Sequence, residues 1–255
     1  MRSSRDEISS RVERLLTAQP AAPSQARRVR RAFPLARVWE EGPRYLGVEV
    51  TVDEEFAECH RRPGQYVTMK LDGWPARFFV LANQPGNRRW ELLVDRESES
   101  GRLLGERDQD VVLMSMPEGV GFDAGEGAGK EALLFCTGSG IATIRPLVEG
   151  WLEGPEEDVP GQISLFVGES RAEDFAYEER VKRWEAQGVR VRRAVERGDE
   201  EGAFPFRYVQ HAFDACPRPV TDAYAYLSGA PVMIQMVATM LMQRGMSPGR
   251  LKINV

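Results

Sequence analysis

Midway along the chain the spacing of apolar residues changes period, and that change constrains the architecture more than any other feature. From Phe33 to about Phe122 they come in short runs, Leu46-Gly47-Val48-Glu49-Val50, Tyr66-Val67-Thr68-Met69, Phe78-Phe79-Val80-Leu81, Trp90-Glu91-Leu92-Leu93 and Val111-Val112-Leu113-Met114, with Gly and Pro between them. Regular short strands of this kind predict an antiparallel barrel or sandwich. Beyond a glycine-rich stretch, Gly125 to Gly129, strand-like and helix-like segments alternate. The strands are Leu133 to Cys136, Ile163 to Phe166, Val189 to Val195 and Tyr224 to Leu227. Helical spacing falls on Leu147, Val148 and Trp151, on Tyr177, Val181 and Trp184, on Val209, Ala212, Phe213 and Cys216, and on Met233, Met236, Val237, Met240 and Leu241. Alternation predicts a doubly wound parallel sheet with helices on both faces.

The chain therefore divides into an Arg-rich arm at 1–31, an antiparallel β-barrel at 32–124 and an α/β domain at 130–255. A length of 255 residues fits two domains. The arm holds eight arginines and three acids. Ser4-Arg5-Asp6-Glu7 reads as a capping box, followed by Ile8, Val12, Leu15 and Leu16 at helical spacing. The arm is expected to be a docking or packed helix, with organelle targeting as the alternative to a cytoplasmic chain. It has no apolar run of the kind a signal peptide needs.

A net charge of -5 and a pI of 5.4 argue against nucleic acid as a partner. Cys59, Cys136 and Cys216 are few and far apart, which supports neither a disulfide framework nor a CxxC metal or iron–sulfur site. The uncharged stretch Ala223 to Gln243 is broken by Ser228-Gly229-Ala230-Pro231. It reads as a strand, a turn and a buried helix, so no membrane span is expected.

The strand Leu133 to Cys136 runs into Thr137-Gly138-Ser139-Gly140-Ile141-Ala142-Thr143 and then a helix. Glycines there let the backbone approach a pyrophosphate, whose charge suits the N–H groups of a helix start. A tight structural turn is the competing reading, because Thr143 stands where GxGxxG requires its third glycine. Two other segments carry no chemistry. Gly127-Ala128-Gly129-Lys130 lacks the first glycine and the final Ser/Thr of a P-loop, and Gly138-Ser139-Gly140 is not a G-x-S-x-G elbow.

Several segments, taken in order, resemble the ferredoxin–NADP reductase superfamily over residues 33–255. They are Pro63-Gly64-Gln65-Tyr66, Arg77-Phe78-Phe79-Val80-Leu81-Ala82-Asn83, Pro117-Glu118-Gly119-Val120-Gly121-Phe122, Gly138 to Ala142, and Ser228-Gly229-Ala230-Pro231. The resemblance implies a flavin-binding Greek-key barrel followed by a nucleotide-binding domain. It also implies hydride transfer from NAD(P)H to FAD, with FMN as the alternative, and electron transfer to an external protein, quinone or small molecule. The counter-reading is a catalytically silent nucleotide- or protein-binding module.

On this resemblance Arg77 pairs with a flavin phosphate, and Phe78, Phe79 and Val80 line the flavin. Phe79 lies against the ring or ribityl chain, or else in the barrel core. Ser100, Gly101 and Arg102 offer N–H groups and a charge to the same phosphates, Arg102 alternatively being a solvated surface charge. Thr137, Gly138, Ser139, Gly140, Ile141 and Gly229 cradle the nucleotide, and Ser228 and Thr143 stand at the positions near the reacting atoms. Arg171, Arg197 and Tyr208 mark the adenosine end. Glu196 there favours the 2′-OH of NAD, whereas Arg197 favours the phosphate of NADP. Val80 replaces a serine hydroxyl, Ser228 a cysteine and Thr143 a proline.

Overall fold

The computed structural model describes residues 30–106, 110–198 and 203–254. The helix expected between Ser4 and Leu16 lies outside the described residues. The described residues form two units, one of 30–123 with Ala142–Gly150, the other of Ala124–Ile141 with 151–254.

The first unit is a six-stranded antiparallel sheet of β1 (Arg30–Glu41), β2 (Tyr45–Thr51), β3 (Tyr66–Lys70), β4 (Arg77–Val80), β5 (Arg89–Asp95) and β6 (Val111–Ser115). Their order is β4-β3-β6-β1-β2-β5, a Greek-key arrangement. Strand β1 changes partner after Pro34, with an irregularity between Leu35 and Arg37, so that Arg30–Pro34 pair with β6 and Leu35–Glu41 with β2. The edge strands meet just past β4, where the Ala82 N–H donates to Glu91 O at 2.8 Å and the Glu91 N–H donates to Asn83 Oδ1 at 2.8 Å. The sheet thereby curls into a barrel around Val48, Val50, Val67, Leu81, Trp90, Leu92 and Met114.

Three elements of this unit differ from the sequence expectation. Strand β1 takes in Arg30 and Arg31, which the sequence assigns to the arm. Helices α1 (Glu54–Cys59) and α2 (Glu99–Gly105) have six and seven residues, too short to show a helical period. Each is set by its cap: Asp53 Oδ1 accepts from the Phe56 N–H at 3.0 Å, and Ser98 Oγ accepts from the Gly101 N–H at 3.0 Å. That Phe56 bond, with Arg31 alongside, also holds Asp53 below the usual carboxylate range.

In the same unit the buried Arg145 guanidinium lies against Glu91 and, at 3.1 Å, Glu149. A buried cation requires such partners. Histidine 60 has no comparable provision. It is 1% exposed, and neither ring nitrogen finds a hydrogen-bond partner among the described residues. Burial lowers its pKa to about 4, with the Arg62 backbone acting in the opposite sense. Because the folded value lies below the unfolded one, the unfolded chain takes up the proton first. Stability is complete above about pH 6.5 and falls as pH drops toward 4, by up to roughly 3 kcal/mol. Urea unfolding of wild type and His60→Leu at pH 7.5 and pH 5 should show the variant losing less stability on acidification. Equal losses would remove His60 as the cause.

The second unit is a parallel sheet of β7 (Glu131–Thr137), β8 (Gln162–Glu169), β9 (Arg190–Val195), β10 (Ala223–Ser228) and β11 (Leu251–Asn254), in the order β11-β10-β7-β8-β9. Its helices are α3 (Ile141–Glu153, shared with the first unit), α4 (Glu178–Ala186), α5 (Val209–Asp214) and α6 (Pro231–Gln243). On one face Phe135 stacks on Phe166 at 4.7 Å, and Phe213 of α5 meets both edge-on at 5.2 and 5.6 Å. On the other face Trp151 packs edge-on against Tyr226 at 5.6 Å. The uncharged stretch resolves into β10, a turn and α6, and no described helix is long and apolar enough to cross a membrane. Strand β11 was not expected: four residues including a lysine give too weak a pattern.

From β7 the chain runs outward through β8 to β9, then returns to the other side for β10 and β11. The direction of winding thus reverses between β7 and β10. In open α/β sheets ligands bind outside the carboxyl ends of the strands at this reversal.

Candidate functional site

At the carboxyl end of β7 the chain turns through Gly138–Gly140 into α3, and at the end of β10 it turns through Gly229 and Ala230 into α6. Register pairs Cys136 with Ser228, so the two turns are neighbours. Thr137 Oγ1 accepts from the Ala230 N–H at 2.9 Å. A Cβ on Gly140 would stand 2.5 Å from Ser228 O and 2.8 Å from Ser228 C. Gly138 and Gly229 hold φ of +58° and +132°, and a Cβ on Gly229 would stand 2.8 Å from Thr137 N and O. The interlocking turns have room for main chain alone. Thr137, Gly138, Ser139, Gly140, Ile141, Ser228 and Gly229 thus come together at the winding reversal. Thr143 is the third residue of α3 and only 1% exposed.

The ends of β8 and β9 bring the residues expected at the adenosine end onto neighbouring loops. The Glu196 N–H donates to Glu169 O and the Arg197 N–H to Ser170 O, each at 3.0 Å, while the Val195 N–H donates to Phe206 O at 2.9 Å. Arg171, Arg197 and Arg207 are exposed there. Tyr208 lies edge-on to His211 at 5.2 Å, and the Arg207 guanidinium is 5.5 Å from the Tyr208 ring. Gln210 donates to Met236 Sδ at 3.6 Å and leaves a buried Oε1 without a partner among the described residues.

Cys136, beside this turn, is not a nucleophile. Burial, with Glu169 nearby, pushes its thiol far above the ordinary cysteine range. A disulfide-exchange reagent should modify the native protein only at Cys59 and Cys216, with Cys136 reacting after unfolding. Labelling of native Cys136, read by peptide mapping, would contradict this.

In the barrel unit Arg77 opens β4, and its guanidinium pairs with Glu99 at 3.0 Å, both side chains being about half exposed. The resemblance did not mark Glu99; an acid directly after the Ser98 cap was the available signal. Two of the N–H groups expected to be open in Ser100 to Arg102 have partners within the helix start. The Gly101 N–H is taken by Ser98 Oγ, and the Arg102 N–H donates to Ser98 O at 3.0 Å. Gly101 is glycine for packing, since a Cβ would fall 2.7 Å from Arg96 Cα and closer still to Asp95 O.

The two phenylalanines of β4 differ in exposure. Strands β3 and β4 pair Val67 with Phe79, Thr68 with Phe78 and Tyr66 with Val80. Phe79 packs against the barrel core with Val67, which is the structural alternative raised for it. Phe78 is 59% exposed and meets Tyr66 edge-on at 5.6 Å. Gly119, at φ +89°, approaches so closely that a Cβ would touch the Tyr66 ring at 3.0 Å. The platform left open is therefore the exposed Phe78 with the half-buried Tyr66.

Thr68 Oγ1 and Glu118 Oε2 are buried near it without partners among the described residues. Glu118 exchanges main-chain bonds with Tyr66 at 2.7 and 3.0 Å. An arginine, an edge-on aromatic pair with one exposed ring and two unsatisfied polar atoms fit a flat heteroaromatic ligand carrying phosphate.

Residues 134–239 match the family model of the oxidoreductase NAD-binding domain. The chain is 25% identical over 215 residues to the sulfhydrogenase 2 subunit gamma of Pyrococcus furiosus, a match that covers 78% of this chain and 74% of that one. It is 29% identical over 204 residues to the fruit protein pKIWI502 of Actinidia deliciosa, covering 72% of this chain but only 63% of the relative. A ferredoxin reductase in carbazole 1,9a-dioxygenase superposes with a TM-score of 0.74 at 19% identity, covering 92% of this chain and 70% of that one. Residues 134–239 thus resemble an oxidoreductase NAD-binding domain, and the chain shares the fold of that ferredoxin reductase.

Proposed function

We propose that the chain is an NAD(P)H-dependent flavin oxidoreductase that passes electrons to an acceptor outside itself. The observation that carries this reading is the interlock of Thr137–Gly140 with Ser228–Ala230 at the winding reversal, inside a domain that matches the oxidoreductase NAD-binding family. A bound flavin would supply the redox chemistry, taking hydride from reduced nicotinamide and releasing electrons one or two at a time.

The protein's own residues bind and orient. The glycine turn brings main-chain N–H groups to the nucleotide pyrophosphate, and α3 behind it adds a helix dipole of favourable sign. Arg77 holds the flavin phosphate, while Tyr66 and Phe78 cover the ring and keep water from it. Val80 lacks the expected hydroxyl, but its cross-strand partner Tyr66 carries a phenol. Ser228, 5% exposed at the end of β10, orients the nicotinamide turn. In this assignment 32–124 is the flavin domain and 130–255 the nucleotide domain. Arg171, Arg197 and Tyr208 receive the adenosine of NADH or NADPH. The names of the relatives, a sulfhydrogenase subunit and a ferredoxin reductase, favour a protein as acceptor.

The visible spectrum of the purified protein tests the reading. Flavin bands that bleach on adding NADH or NADPH anaerobically are expected, and stopped-flow traces with each nucleotide give the preference. A colourless protein that takes up neither FAD nor FMN, and oxidises no NAD(P)H with ferricyanide, would leave the silent-module alternative in its place.

A further inference from the structure

One charge on the barrel face that carries Tyr66 and Phe78 has no part in holding a phosphate. Tyr66 and Glu118 exchange both main-chain hydrogen bonds as an antiparallel pair, so their side chains leave the ladder on the same face. On its other side Tyr66 pairs with Val80, and in the next row Thr68 pairs with Phe78. Val80, Tyr66 and Glu118 therefore stand in one row across three neighbouring segments. The segment that carries Glu118 is anchored to the start of β3. The Phe122 N–H donates to Pro63 O at 2.7 Å, and Gln65 Nε2 donates to Gly119 O at 3.2 Å. A Cβ on Gly121, at φ +67°, would stand 2.8 Å from Pro63 O, so main chain packs on main chain there.

A carboxylate in this place is a burden to the fold. Its Oε2 is shut from solvent without a hydrogen-bond partner among the described residues, and an unpaired buried charge destabilises. The buried Arg145 of the same unit, by contrast, lies against two carboxylates. Lys70 shares the face of β3 but stands four residues along from Tyr66, about 13 Å away. From Glu118 to Val80, at the far end of the row, is two strand spacings, or about 10 Å. Uptake of a hydride gives a flavin on this face one added negative charge. A second negative charge within that distance, in partly buried protein, opposes the uptake by roughly tenfold in equilibrium.

We infer that Glu118 holds the reduction potential of the bound flavin down, so that the site releases electrons more readily than it keeps them. This rests on the flavin reading above. The stability lost by burying Oε2 is then the cost of a charge placed to act on the cofactor.

Midpoint potentials of the flavin-loaded full chain, followed by spectroelectrochemistry, test it, since the readout is an equilibrium and not turnover. Glu118→Gln removes the charge and keeps the shape, and should favour the reduced flavin roughly tenfold, about 30 mV upward for a two-electron couple. Glu118→Asp keeps the charge and should stay within about threefold of wild type. Glu97→Gln removes an equal charge from an exposed position of the same unit and should move the equilibrium less than about twofold, because solvent and salt screen it. An unchanged potential in Glu118→Gln, an equal shift in Glu97→Gln, or loss of flavin from Glu118→Gln overturns the inference and leaves the flavin reading standing. A wild-type chain that holds no flavin overturns both.

Discussion

Gly229→Ala should lower NAD(P)H-dependent reduction at least a hundredfold, more than any other single change to the nucleotide turn. The residue holds φ +132°, a backbone region closed to L side chains, and the added Cβ would stand 2.8 Å from Thr137 N and O. Backbone strain of this kind costs on the order of 1 to 3 kcal/mol before any collision is counted. The collision is with main chain of β7, which cannot rotate away as a side chain could. Relief requires the Ser228–Ala230 turn to lift from Thr137, breaking the 2.9 Å bond from the Ala230 N–H. Nicotinamide geometry would be lost, because an error of about 1 Å in placement can cost a hundredfold in rate. Urea unfolding should show destabilisation of about 3 kcal/mol, and flavin content should be untouched. A variant with wild-type reduction rates would mean that this turn does not hold the nucleotide.

Arg77→Ala should weaken flavin binding by roughly thirty- to a hundredfold, the loss expected for a charge-assisted pair with phosphate. Glu99 sharpens the test. Its carboxylate sits 3.0 Å from the Arg77 guanidinium and competes with an incoming phosphate for the same donors. With both side chains about half exposed, the pair is worth little by itself, so phosphate displaces it readily. Glu99→Gln should therefore tighten flavin binding a few-fold while Arg77→Ala loosens it. Affinities from flavin fluorescence quenching at two ionic strengths would follow both changes, the Arg77 contribution shrinking as salt rises. No effect of Arg77→Ala on flavin content would move the phosphate elsewhere.

The fold was readable because both halves announce their period. Runs such as Trp90 to Leu93 and Leu133 to Cys136 bury alternate or all side chains, and burial is what hydrophobic patterning records. The glycine turn was readable because its geometry admits no side chain: Gly140 and Gly229 each face main chain across the reversal. What escaped depends on contacts that sequence spacing does not encode. Helices α1 and α2 are held by single caps at Asp53 and Ser98. The exchange of Phe79 for Phe78 at the exposed face follows from a ladder register in which Val67 and Phe79 point inward together. The burial of Thr143 follows from the face of α3 on which it falls, which its place in a motif does not record.

The change of partner along β1 has a kinetic consequence. One strand pairs first with a near neighbour, β2, and also with β6, where Arg30 meets Ser115 across some eighty-five intervening positions. The hairpin half can form as soon as residue 51 is made, while the other half waits for a partner much later in the chain. Barrel closure is then a slow, long-range event, and the apolar side of β1 stays open to wrong partners until it occurs. Refolding should show early hairpin protection from hydrogen exchange at Val38 to Trp39, well before protection appears at Arg31 to Phe33.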